Sequence, residues 1–230
     1  MISIEHKTIF VHIPKVAGQS IETLFLEDLD LTWDTRESLL LRKKKPNENA
    51  PDRLAHLTAS EYVDLGYVDS TTYQDYFTFS FVRNPYARAI SLYKYLGYAN
   101  IISFSVFIKK VISEKVKKGD FFFKSQYDYL YSGEGKRLVD FVGKLENIKE
   151  DIEYILERSG IEGKKLPHVN KSKKGIKRGL GSLLKNRSLI KDLQIKNIFF
   201  QSKQEKMNQT QKEAIFKLYA KDFEYFNYEK

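Results

Sequence analysis

Residues 8–21 read TIFVHIPKVAGQSI, from Thr8 through His12, Pro14, Lys15 and Gly18 to Ile21. The run from Thr8 to Ile13 is apolar and β-branched and ends at Pro14, which predicts a buried strand. Pro14 to Gly18 is a turn. From Ser20 to Leu29 the apolar residues Ile21, Leu24, Phe25 and Leu29 recur at helical spacing. Strand, loop and helix in that order are the first half of a βαβ unit. The same order returns downstream. Tyr76 to Val82 (YFTFSFV) is the strongest strand pattern in the chain; Arg83-Asn84-Pro85 stops it, and Pro85 opens a helix to about Tyr98. Val139 to Leu145 is a third strand candidate, before a helix from Lys149 to Ser159 with Glu150 and Asp151 in its first turn. Alternating strands and helices give an α/β fold, a single domain over 1–230 with a small central parallel sheet flanked by helices.

The remaining segments fit around these units. Residues 34–53 are polar, carry Lys43 to Lys45 and two prolines, and read as a flexible excursion. Thr58 and Glu61 stand at capping-box spacing before a short helix from Ala59 to Leu65, and Asn208 with Gln211 repeats that spacing before a helix through Ile215 and Leu218. Phe104 to Val116 has a 3.6-residue apolar period, and Gln126 to Tyr131 offers one more helical turn or two.

Composition sets outer limits. The chain has 230 residues, 42% of them hydrophobic, and folds as a globule. It contains no Cys, which removes disulfides, thiolate zinc sites and thiol catalysis. No metal-ligand cluster is visible. The start of the sequence shows no basic and apolar leader, and no apolar run is long enough to span a bilayer; the expectation is a cytoplasmic protein. The formal charge is +9. Residues 163–191 hold ten bases and no acid, leaving 29 bases against 30 acids elsewhere. The excess therefore sits in one basic loop segment and argues against a general nucleic-acid coat.

Two loops carry candidate chemistry. Between the first strand and helix, Pro14, Lys15, Val16, Ala17, Gly18, Gln19 and Ser20 form a turn of the kind that points backbone N–H groups at an anion. Lys15 adds a full charge, Gly18 allows close approach, and Ser20 adds a hydroxyl. Neither GxxxxGK[ST] nor GxGxxG is present. After the second strand, Arg83 stands at the end where open α/β sheets bind ligands, and Ser91 follows on the next helix. Together the loops suit a ligand with two separate anionic ends.

The segments IPKVAGQSI and FVRNPYARAISLY resemble those of the sulfotransferase superfamily that uses 3′-phosphoadenosine 5′-phosphosulfate (PAPS), in the branch of glycan and heparan sulfotransferases and their bacterial relatives. Family members carry HIPKTAGTS, which binds the 5′-phosphosulfate, and VRNPxxRxxSxY, which binds the 3′-phosphate. His12, Ile13, Pro14, Lys15, Ala17, Gly18 and Ser20 match the first; Val82, Arg83, Asn84, Pro85, Arg88, Ser91 and Tyr93 match the second. Gln19 departs from the usual hydroxyl residue. Weaker likenesses at Ala55 to Tyr62, Phe141 to Asn147, Leu166 to Ser172 and Asp222 to Tyr228 extend over nearly the whole chain. The resemblance implies a P-loop-like fold and PAPS-dependent transfer to a hydroxyl of a glycan or other carbohydrate-containing acceptor, with no metal. It implies Lys15 and His56 as catalytic residues, with Glu22 as a reserve base. It also implies Asn170, Lys171 and Ser172 as a loop closing over the nucleotide. His12 reads as a positioning or core residue, His6 as a surface residue, and His168 as part of the closing loop. Two other classes stay open: a P-loop-like nucleotide kinase, and a non-catalytic binding module for anionic glycan or nucleic acid.

Overall fold

Every residue of Thr8–Val11 and Phe77–Val82 is buried, so these strands read as continuous apolar runs, the pattern of a sheet covered on both faces. They are β2 and β3 of a four-stranded sheet with order β1-β2-β3-β4, in which β1 is Ile2–Ser3 and β4 is Phe141–Lys144. The structure is a computed structural model and describes residues 1–167, 176–200, 202, 204 and 206–230. The chain clusters into two compact units, Met1–Arg83 with Gln126–Asn170 and Asn84–Ser125 with Lys171–Lys230. In chain order α1 spans Gly18–Asp28, α2 Pro85–Tyr95, α3 Ile148–Arg158, α4 Ile176–Lys185, α5 Ile195–Phe199 and α6 Gln209–Leu218.

The first unit holds the sheet. β2 pairs with β3 and β3 with β4 in parallel, with Val11 opposite Ser80 and Ser80 opposite Val142. This register brings the C-terminal ends of β2 and β3, and the loops that follow them, to the same edge. β1 is antiparallel to β2; two residues are too few to leave a periodic signal. Aromatic rings cement the sheet: Phe79 stacks on Phe10 at 4.9 Å and on Phe77 at 5.8 Å between ring centroids, and Phe25 from α1 covers it at 6.2 Å. β4 follows β3 closely because Gly143 has no side chain: a Cβ there would stand 2.6 Å from the Phe81 ring. Asp151, in the first turn of α3, accepts the Lys144 N–H at 2.7 Å and fixes the turn from β4 into α3. Thr58 and Glu61 form the expected reciprocal pair, Thr58 N–H to Glu61 at 2.7 Å and Glu61 N–H to Thr58 at 3.3 Å, and the helix proper is Glu61–Asp64. Within 34–53, Arg42 grips Glu48 with both guanidinium nitrogens, at 2.8 and 2.6 Å, and Lys43 bridges Arg53.

The second unit is helical. Asn84 caps α2 by accepting from the N–H groups of Tyr86 and Ala87, and Gly97 at φ 82° closes the turn after it. Phe104–Val106 and Ser113–Lys117 are α-helical, but Phe107–Ile112 between them winds as a π-helix. A π turn shifts the repeat only slightly, so the apolar period alone reads as one helix. The capping box of Asn208 and Gln211 opens α6 as its spacing predicts. Tyr93, Phe104, Phe107, Ile112, Ile215 and Phe223 are among the residues of its core.

The α/β class with a small, mostly parallel sheet flanked by helices is thus what the chain adopts. Removing the Phe79 ring, which is fully buried, should cost about 3–5 kcal/mol in urea denaturation, whereas Ile4→Ala at an exposed position should cost under about 0.5 kcal/mol. Equal losses for the two would show that the ring stack is not what holds the sheet.

Candidate functional site

The loop from Pro14 to Ala17 leaves β2 in an unusual conformation. Lys15 and Ala17 both take positive φ, 76° and 67°, a state that L-residues rarely adopt and that turns successive N–H groups toward one side. α1 starts at Gly18 without a side-chain cap. The helix start therefore presents backbone N–H groups and the positive end of its dipole, the features that suit an anion. Val16 and Ser20 are buried, Lys15 is half-buried and Gln19 is exposed.

Gly18 is held against the imidazole of His12. A Cβ at position 18 would lie 1.9 Å from His12 Nε2. On its other side His12 Nδ1 donates to Glu22 Oε1 at 2.6 Å, and both residues are buried. Gly18 and Glu22 are four residues apart on α1 and so share one face of the helix. His56 closes the group from the chain before Leu57. Its Nδ1 lies 2.9 Å from the His12 carbonyl oxygen, and its ring meets the His12 ring edge-on at 4.5 Å. A carbonyl only accepts, so Nδ1 carries the proton and Nε2 carries the lone pair. Burial, and then the neighbouring His12, hold the His56 imidazole well below its ordinary value of 6.5. The His56 imidazole is thus neutral at pH 7. Beneath it Tyr62, fully buried, donates to the Phe10 carbonyl at 3.1 Å.

Arg83 reaches this loop from β3. Its guanidinium donates to the Lys15 carbonyl at 3.5 Å. Its backbone is clamped by a residue that no motif or spacing singles out. Gln126, fully buried, accepts from the Arg83 N–H at 2.9 Å and donates to the Arg83 carbonyl at 2.8 Å. A side-chain amide has one acceptor and one donor end, and here both are spent on one peptide strand. Lys15, Gly18, His12, Glu22, His56, Arg83 and Gln126 all belong to the first unit.

Other candidates fall elsewhere. Ser91 lies half-buried on α2 in the second unit. Arg88, five residues after Arg83, is 2% exposed; it donates to the carbonyls of Lys124 and Phe122 at 3.1 to 3.3 Å and lies over the Tyr219 ring, so it braces its own unit. His6 is a correction: instead of a surface residue it is a half-buried link, bonded to Ser3 at 2.6 Å and Asp28 at 2.9 Å. His168, Asn170, Lys171 and Ser172 lie outside the described residues. Among the described residues no group of three or more His, Asp and Glu side chains is placed to hold a metal ion, and no helix is long and apolar enough to cross a membrane.

Two outcomes test this arrangement. Gly18→Ala should destabilise the fold by about 1–3 kcal/mol, because the methyl has no space beside His12. A variant as stable as the parent would place the imidazole elsewhere. For His56 the unfolded chain takes up a proton near pH 6.5 that the folded chain refuses. Stability therefore rises with pH through that window and is lost as pH falls below it. Urea denaturation between about pH 7.5 and 5.5 should show this slope, at most about 1.4 kcal/mol per pH unit, and His56→Gln should flatten it. An unchanged slope in the variant would remove His56 as its source.

The model of the Sulfotransferase family matches residues 1–229. A comparison with curated proteins finds no match. The match covers both loops and everything between and beyond them, and it agrees with the resemblance of IPKVAGQSI and FVRNPYARAISLY. The chain belongs to the sulfotransferase family, enzymes that transfer a sulfuryl group.

Proposed function

We propose that this chain transfers the sulfuryl group of PAPS to a hydroxyl of a glycan or other carbohydrate-containing acceptor by in-line displacement. The observation that carries the reading is the loop 14–20 itself. Its backbone takes two positive φ angles, α1 starts uncapped behind it, and the Arg83 guanidinium reaches its Lys15 carbonyl. These residues fit a phosphate-bearing anion: N–H groups converge, a glycine removes side-chain bulk, and two cations stand at one sheet edge. Bound there, PAPS supplies the sulfur electrophile and a phosphate leaving group.

The chain's residues divide the work. Pro14 to Ser20 hold the 5′ side through backbone N–H groups and the Ser20 hydroxyl, with Gln19 in place of the usual hydroxyl residue. Lys15 neutralises charge that develops on the phosphate oxygen as its bond to sulfur breaks. Arg83 grips the 3′-phosphate, a group that ATP lacks; the roles of Ser91, Asn170, Lys171 and Ser172 rest on the resemblance alone. His56 accepts the proton of the acceptor hydroxyl at Nε2 while the oxygen bonds to sulfur. Glu22 is bound to His12 and is therefore a positioning residue rather than the base.

Transfer of labelled sulfate from PAPS into a panel of glycan acceptors tests the whole reading. Lys15→Ala should lower turnover by about 100- to 1,000-fold with the fold intact, and His56→Ala by about 100- to 10,000-fold. Arg83→Ala should chiefly weaken binding of 3′-phosphoadenosine 5′-phosphate. Near-normal transfer by Lys15→Ala would sink the mechanism, and tighter binding of ADP than of 3′-phosphoadenosine 5′-phosphate would favour a kinase.

A further inference from the structure

Nine large apolar side chains are exposed among the described residues, and five of them fall between 180 and 200. They are Leu180 at 47% exposure, Leu184 at 77%, Ile190 at 54%, Ile195 at 71% and Phe200 at 72%. All lie in the second unit. Leu180 and Leu184 are four residues apart on α4, hence on one face. The opposite face of α4 is pressed inward: a Cβ at Gly179 would stand 2.5 Å from the Gly97 carbonyl, and Leu183 packs on the core. α4 and α5 both pack against the same short turn, Tyr98–Asn100.

The charge of this stretch is as one-sided as its exposure. Residues 176–200 hold six bases and one acid. That acid, Asp192, is bound by Lys110 at 2.5 Å. Arg178 is turned back onto the Tyr95 ring and its carbonyl. Arg187, Lys191 and Lys196 are exposed.

We infer that this face of the second unit docks on an anionic lipid bilayer, with the five apolar side chains entering the headgroup region and the exposed bases meeting lipid phosphates and carboxylates. The inference does not depend on the proposed transfer reaction. Three kinds of partner compete for such a surface, and their chemistry separates them. A polyanionic glycan or nucleic acid would engage the bases and leave five apolar groups in water. The centre of a protein interface excludes charge, lysine above all. Here apolar and cationic residues are interleaved, with Ile190 followed by Lys191 and Ile195 by Lys196. A lipid interface takes both, since apolar side chains sink below the level at which basic ones stop. No membrane span is involved; the chain would lie on the surface.

Co-sedimentation of the full chain with lipid vesicles tests this. The chain should pellet with vesicles of phosphatidylcholine containing phosphatidylserine but not with phosphatidylcholine alone, and ~1 M salt should release it. The triple change Leu184→Ser, Ile195→Ser and Phe200→Ser should weaken vesicle binding by at least ~10-fold while leaving retention on a heparin column unchanged. Arg187→Glu with Lys191→Glu and Lys196→Glu should lose both. Thermal unfolding of each variant should match the parent, since all six side chains are exposed; should one variant unfold early, the other carries the test. Failure of the parent to bind anionic vesicles, or undiminished binding by the serine variant, would overturn the inference and leave a surface for polyanions. Equal binding to neutral vesicles would overturn its electrostatic half.

Discussion

The imidazole of His12 occupies the space that any side chain at position 18 would need, and this contact sets the geometry of the sheet edge. It locks the end of β2 to the start of α1, so the loop between them has one path. Two residues of that path, Lys15 and Ala17, are held at positive φ, a cost that the surrounding packing must cover. The helix contributes twice to the same ring. Gly18 lies against Nε2, and Glu22, one turn on, accepts from Nδ1. A carboxylate as deeply buried as that of Glu22 would be costly without a partner, and the imidazole supplies it. The His12 backbone carbonyl then receives His56. One residue thus fixes the loop after β2, the first helix and the tautomer of His56.

That dependence explains what the sequence could and could not disclose. β2 and β3 and the helices after them were legible because continuous apolar runs and 3.6-residue periods follow from burial on a sheet and on a helix face. Two capping boxes were legible because they involve residues three apart, whose geometry the helix dictates. Lys15 and Arg83 were legible as candidate cations because strand ends in a parallel sheet expose their following residues. The coupling between Gly18, His12 and Glu22 was not. It depends on the angle at which α1 leaves β2, a tertiary quantity. Gln126 was invisible for a similar reason: it lies 43 residues beyond Arg83, in a helix with no distinguishing pattern, and matters only because that helix passes the end of β3. His6 looked like a surface residue because its partners, Ser3 and Asp28, meet it only after α1 has folded back beside β1.

Arg83 and Arg88 show how a shared motif can hide different roles. Both are arginines of VRNPxxR. Arg88 has its guanidinium committed to carbonyl oxygens inside the second unit and is sealed from water. To bind an external anion it would have to break three bonds in a low-dielectric interior. Arg83 is half-buried and touches the loop through one long bond at 3.5 Å. On the proposed reading a phosphate takes the place of that carbonyl and forms a charge-assisted pair. The same side chain is a sealed brace in one place and a half-buried, more accessible group in the other.

The distribution of positive charge follows the same physics. In a partly buried site each cation acts at close range with little screening, so two suffice at the edge of β2 and β3. On an exposed surface salt screens each charge beyond about 10 Å, and single contacts are worth little. A surface that must hold a large anionic partner therefore needs many bases without acids among them, which is how residues 163–191 are composed. On the proposed reading the chain separates the two uses: two cations at the edge of β2 and β3, and a dense run of bases in the sequence of 163–191. The near balance of 29 bases and 30 acids elsewhere keeps the first from being diluted by the second.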